Sequence, residues 1–200
     1  MSFQFREESF LPARRLPLFV LVDPRLPHIA GRLGLGHSDV AGILTRCRAA
    51  LSHARMRGMP VAFVRGETRG QSGRLWIKQL EPRPREMMFE RRAISCYSSR
   101  YFPEAAGVTG EVVFAGFFGA DGCFPTMADA VAAGHRVILL WDAIQTCPKE
   151  RRSHLSAMRT VVGGWNIRLL TTSAWRQVTQ DNRPAHKRSQ RAPRFQRRSS

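Results

Sequence analysis

Between Pro17 and Val178 short apolar runs alternate with segments of helical spacing. Six runs have strand character: PLFVLV (17–22), PVAFVR (60–65), MMFER (87–91), EVVFAG (111–116), RVILLWD (136–142) and WNIRLLTT (165–172). Most are four to eight residues long, rich in β-branched and aromatic side chains, and bounded by Gly, Pro or Asp. The segments between them are long enough for crossover helices. Ser38-Asp39 opens VAGILTRCRAALSHARMRG, which closes at Gly58. Ser98–Gly107 reads as a short helix with Pro103 as a break. PTMADAVAAG (125–134) has Pro near its first turn and Gly at its end. PKERRSHLSAMRTVVGG (148–164) ends in a glycine pair, and SAWRQV adds a last helical turn. Strands alternating with helices require crossover connections. The expected fold is α/β, a three-layer doubly wound sandwich with a central six-stranded, mostly parallel sheet and helices on both faces.

Residues 66–86 form a long polar loop containing one amphipathic piece, RLWIKQL. The chain carries 32 Lys+Arg against 15 Asp+Glu, a net charge of +17. Residues 181–200 contribute seven basic residues and one acid, which leaves +11 on the rest. This tail is nearly devoid of apolar residues and cannot offset its own ordering entropy. The expected organisation is therefore a lead-in at 1–15, one domain at 16–180 and a disordered basic tail at 181–200. The tail reads either as a polyelectrolyte arm for nucleic acid or as a simple solvated terminus.

The longest apolar run, Leu16–Val22, is too short to span a bilayer. Glu7 and Glu8 sit where a signal peptide would need apolar residues. The four cysteines, at 47, 96, 123 and 147, lack CxxC or zinc-type spacing. A cytoplasmic protein with reduced thiols and no membrane partner is expected. The six histidines show no ligand spacing, and Gly34-x-Gly36 lacks the rest of a dinucleotide fingerprint. No metal and no cofactor are expected.

Parallel α/β sheets bind ligands at the carboxyl ends of their strands. Asp23 ends the first strand, Arg91 ends the third, and the glycine-rich loop carrying Cys123 follows the fourth. An aspartate, a cation and a helix-start cysteine at one edge suit nucleophilic chemistry.

These pieces, in this order, resemble the isochorismatase-like cysteine hydrolases from about Leu16 to about Thr172. LFVLVDPRL is similar to the family's first strand with its acidic residue, Asp23. ERRAISCY (90–97) resembles a stretch where a lysine precedes Ser-Ala-Phe by four residues, and Arg91 stands at the lysine position. EVVFAG followed by TMADA is similar to the strand and nucleophile helix. GHRVILLWDA resembles the next strand, with its Asp142-Ala143 end. The resemblance implies hydrolysis of a small amide or related substrate. A thiolate (Cys123) attacks, an aspartate (Asp23) takes its proton, and a cation (Arg91) stabilises the charged pair. Backbone N–H groups of Gly119, Asp121 and Gly122 hold the oxyanion. It also implies a homo-oligomer, dimer or tetramer. Arg91 with Arg92 and Arg100 favours an anionic substrate. The nicotinamidases of the family carry a zinc-binding Asp-x-His after the second strand, whereas RGETRGQSG has no histidine.

Two departures stand out. Arg91 keeps the lysine's charge but not its proton-transfer ability. The cysteine register is also displaced. Counting forward from Gly116 or back from Thr126, the nucleophile position without gaps is 122, a glycine. Two compensating length changes in FGADG would instead place Cys123 there. The first alternative leaves a binding protein that has lost covalent catalysis, and the second leaves an active hydrolase.

Overall fold

The computed structural model describes residues 15–25, 37–66, 75–117, 119–145, 156, 160 and 166–181. The elements in chain order are β1 (Leu18–Val22), α1 (His37–Met56), β2 (Val61–Gly66) and β3 (Met87–Arg91). A 3-10 turn (Cys96–Ser98), α2 (Phe102–Thr109), β4 (Glu111–Gly116) and α3 (Gly119–Ala132) follow. The chain then forms β5 (Arg136–Ile144), β6 (Ile167–Leu170) and α4 (Thr172–Asp181).

The six strands form one sheet in the order β3-β2-β1-β4-β5-β6, and every pairing is parallel. The expected "mostly parallel" sheet is thus wholly parallel. Such a sheet needs cover on both faces, and β1 shows why its sequence is continuously apolar. Leu18, Val20 and Val22 point to one face, toward Phe102, Ala106, Cys123, Met127 and Ala130 of α2 and α3. Phe19 and Leu21 point to the other, toward Ile43, Cys47, Ala50 and Leu51 of α1 and Trp175 of α4. All five β1 residues are fully buried. Phe19 stacks on Trp175 with ring centroids 5.8 Å apart.

The strand order reverses between β1 and β4, which opens a crevice at their carboxyl ends. Gly116 closes β4 directly opposite Val22. Its φ is +125°, and a Cβ there would lie 2.2 Å from the Val22 carbonyl oxygen, so only glycine fits. Phe117 N–H then donates to that carbonyl at 2.7 Å.

Two expectations change. α3 begins at Gly119, six residues before the expected start, and Pro125 lies inside it. Proline supplies no N–H to the carbonyl four residues back, so the first turn of α3 lacks that bond and carries the sequence signal of a loop. α4 runs for ten residues rather than one turn. In the amphipathic piece of the 66–86 loop, Trp76 forms a bridge with Arg25, and Ile77 and Leu80 are buried. The expected 148–164 helix lies outside the described residues except at Ser156 and Thr160, which are helical. The lead-in before Arg15 and the tail beyond Asp181 also lie outside them. Asp181 itself ends α4.

Candidate functional site

Asp23 leaves β1 in the left-handed region, with φ +47°. For a non-glycine residue that is an uncommon conformation, of the kind held where surrounding bonds fix it. Its N–H donates to Val64 O at 2.8 Å, and Arg25 N–H donates back to Asp23 O at 2.8 Å. The turn aims the Asp23 carboxylate along the strand ends, where it is wholly buried.

Donors from three segments converge on it. Arg25 Nη2 and Gly66 N donate to Oδ1 at 2.8 and 2.9 Å. Arg91 Nη2 donates to Oδ2 at 2.6 Å. Arg25, itself fully buried, also donates to Gly66 O at 3.1 Å. Arg91 Nη1 donates to Ile94 O, which ties the strand end to the segment that follows. Asp23 and Arg91 are thus brought together, with β2 lying between their strands. Arg25 was missed in the sequence. A charged residue in a polar connection reads as exposed, and its pairing with Asp23 helps make its burial tolerable.

Cys123 is placed elsewhere. It is the fifth residue of α3 and completely buried. Cys123, Met127 and Ala130 form one stripe at i, i+4, i+7 against the sheet. Burial, and then neighbouring Cys96, push its thiol well above the ordinary range. Gly119, Asp121 and Gly122 form the first turn of α3 rather than a preceding loop. Their N–H groups belong to the set that an α-helix leaves without intrahelical partners.

Gly122 lies one turn before Thr126, on the same side of α3. Thr126 is buried, and its hydroxyl accepts from Cys96 N–H at 3.1 Å. The side of α3 that faces the 95–98 segment therefore carries Gly122 and Thr126. Cys96 is buried as well, and burial pushes its thiol up to about 12 despite the Thr126 hydroxyl and Arg91 nearby. Cys47 is likewise pushed up to about 12 by burial and donates to Ala143 O at 3.2 Å. Cys147 lies outside the described residues.

Asp142, at the end of β5 sequence expected as an Asp-Ala motif, is structural where described. It accepts from Thr172 N and Oγ1, both at 2.8 Å, and so caps the start of α4. Among the described residues no group of three or more His, Cys, Asp or Glu could hold a metal ion. No helix among them is long and apolar enough to cross a membrane.

The sequence matches the isochorismatase domain over residues 17–169. No curated protein matches the chain in sequence. Several crystal structures are similar. An isochorismatase from Pseudomonas putida KT2440 shares 19% identity at a TM-score of 0.67, over 78% of this chain and 88% of that one. N-carbamoylsarcosine amidase from Thermoplasma acidophilum shares 22% at a TM-score of 0.64, over 78% and 96%. An isochorismatase family protein from Desulfovibrio vulgaris shares 17% at a TM-score of 0.69, over 83% and 99%. At these identities the likeness shows a common fold.

Proposed function

The chain belongs to the isochorismatase family, and from that premise we propose that it binds a small organic anion at the β1/β3 strand ends without thiol chemistry. The carrying observation is the Arg25–Asp23–Arg91 cluster, which gathers two guanidinium groups around one carboxylate at the sheet's carboxyl edge. Guanidinium groups present donors in a planar fork that suits a carboxylate, whereas a lysine would be needed to move a proton.

The family's thiol step needs the cysteine sulfur within hydrogen-bond reach of the aspartate. Cys123 belongs instead to the Met127–Ala130 core stripe, and its thiol resists ionisation. The Asp23 oxygens are engaged by arginine and backbone donors. Both facts favour the gapless register, in which Gly122 stands at the nucleophile position and the hydrolytic reading of Asp23, Arg91 and Cys123 lapses. In the same reading the chain is a cytoplasmic dimer or tetramer, which light scattering measures.

The test is calorimetric titration with acetate and with inorganic phosphate, alongside turnover of a panel of small amides. Carboxylate binding that weakens about tenfold in Arg91→Lys, with no amide turnover, supports the reading. Amide turnover that disappears in Asp23→Asn overturns it.

The +17 charge supports a second reading, a nucleic-acid affinity added by the basic surface and tail. Steeply salt-dependent, sequence-independent binding that falls on removal of residues 182–200 is its expected signature. Unchanged binding removes the tail from it.

A further inference from the structure

A cavity of 560 Å³ lies alongside β3, and Arg91, which is bonded to Asp23, is one of its lining residues. We propose that this cavity takes the planar apolar body of the ligand, so that the anion recognised is an aromatic carboxylate. The inference deepens the anion-binding reading and rests on it, because Arg91 is shared between the cluster and the cavity.

The cavity's charges are uneven. Glu90, which also lines the cavity, is paired with Arg65, and Arg91 is held by Asp23. Arg92 and Arg100 also line the cavity, and neither has an acidic partner among the described residues. Two uncompensated guanidinium groups therefore face one opening.

The walls are apolar and in part aromatic. Phe89, Met88 and Tyr101 line the cavity, and Met88 and Tyr101 are 58% and 55% exposed. A folded protein gains nothing by leaving such side chains in water beside one another unless something covers them. The Arg100 guanidinium lies 5.1 Å from the centroid of the Tyr101 ring. Such a stacked pair offers a flat surface and a charge together. A volume of this size suits a small molecule. A nucleic-acid strand would need cations spaced along a track rather than gathered at one cavity.

The experiment is calorimetric titration of the full chain with 2-naphthoate, acetate and a single-stranded oligonucleotide. It is repeated in Arg100→Ala, Tyr101→Ala and the distant control Arg136→Ala. The wild type is expected to bind 2-naphthoate about tenfold more tightly than acetate. Arg100→Ala and Tyr101→Ala should each remove most of that preference, while the control Arg136→Ala keeps it. Both positions are at the rim, and circular dichroism melting verifies that the variants fold. Equal binding of naphthoate and acetate in wild type overturns the cavity's role but leaves the Asp23–Arg91 reading intact. So does naphthoate binding that survives both substitutions. Binding of no anion overturns both. Oligonucleotide binding that depends on Arg100 and excludes naphthoate assigns the cavity to nucleic acid and overturns the proposal.

Discussion

Arg91 and Asp23 are joined across an intervening strand. Nη2 of Arg91 lies 2.6 Å from Oδ2 of Asp23, and Gly66, at the end of the strand between them, donates its N–H to Oδ1 at 2.9 Å. Three parallel strands thus end on one carboxylate, and the buried Arg25 completes the cluster. The arrangement follows from the strand order, since β3-β2-β1 sets the three carboxyl ends side by side.

Removing Arg25 should cost more than removing a surface arginine. Its side chain is 1% exposed and bonds both Asp23 and Gly66 O. Breaking a buried pair by deleting one partner typically costs about 3–5 kcal/mol. Arg25→Ala should lower stability on that scale in urea unfolding, while the half-exposed Arg136→Ala should cost under about 1 kcal/mol. Equal, small losses would show that Arg91 and Gly66 alone hold Asp23.

Gly116 and Gly134 both have positive φ but should respond differently to alanine. At Gly134 a Cβ meets nothing within 4 Å, so Gly134→Ala should cost only the left-handed penalty of about 1–2 kcal/mol. At Gly116 a Cβ meets Val22 backbone at 2.2 Å, and the two strand ends must separate. Gly116→Ala should fail to accumulate as folded protein in a solubility and circular dichroism comparison. Similar melting temperatures for the two variants would contradict the close approach of β1 and β4.

How much of this was legible in the sequence depended on the kind of signal. β3 and β4 lie at 87–91 and 111–116, where their apolar runs are, because short runs bounded by turn residues leave little choice. Asp23 and Arg91 could be brought to one edge because strand ends in a parallel sheet share an edge. The start of α3 could not be read. Gly119, Gly122 and Pro125 each signal a break, and only tertiary contacts such as Cys123 against the sheet and Thr126 against Cys96 hold the turn helical. That six-residue difference places Cys123 on the side of the helix that packs against the sheet. The α4 helix was read short because polar residues surround Trp175, whose burial against Phe19 anchors it.

Acid should loosen the α1–α4 contact. His53 is buried there, its Nε2 is 2.7 Å from Thr179 Oγ1, and its ring meets Trp175 edge-on. Burial first, then Arg176 and Arg57, hold its pKa below the ordinary 6.5. Above pH 6.5 both folded and unfolded chains carry a neutral ring, and stability is complete. Below it the unfolded chain takes up the proton first, so stability falls until pH reaches the lowered folded value. His135, beside the Tyr97 hydroxyl at 2.7 Å, is also lowered by burial and adds in the same sense. Urea midpoints should therefore drop between pH 7 and pH 5, and His53→Gln should reduce the drop. An unchanged pH dependence in that variant would place the effect elsewhere.

The thiols should be silent in the native state. Cys47, Cys96 and Cys123 are all buried, and burial raises all three. Iodoacetamide at pH 8 should label their peptides only after denaturation, as read by mass spectrometry. Rapid native labelling of Cys123 would mean that its helix turn opens readily.

The most direct test compares wild type with Cys123→Ala for carboxylate binding and for turnover of small amides. The account predicts that both bind acetate with the same affinity and that neither hydrolyses the panel. Turnover in wild type that is lost in Cys123→Ala, with acetate binding retained, would restore the thiol as the nucleophile and contradict the account.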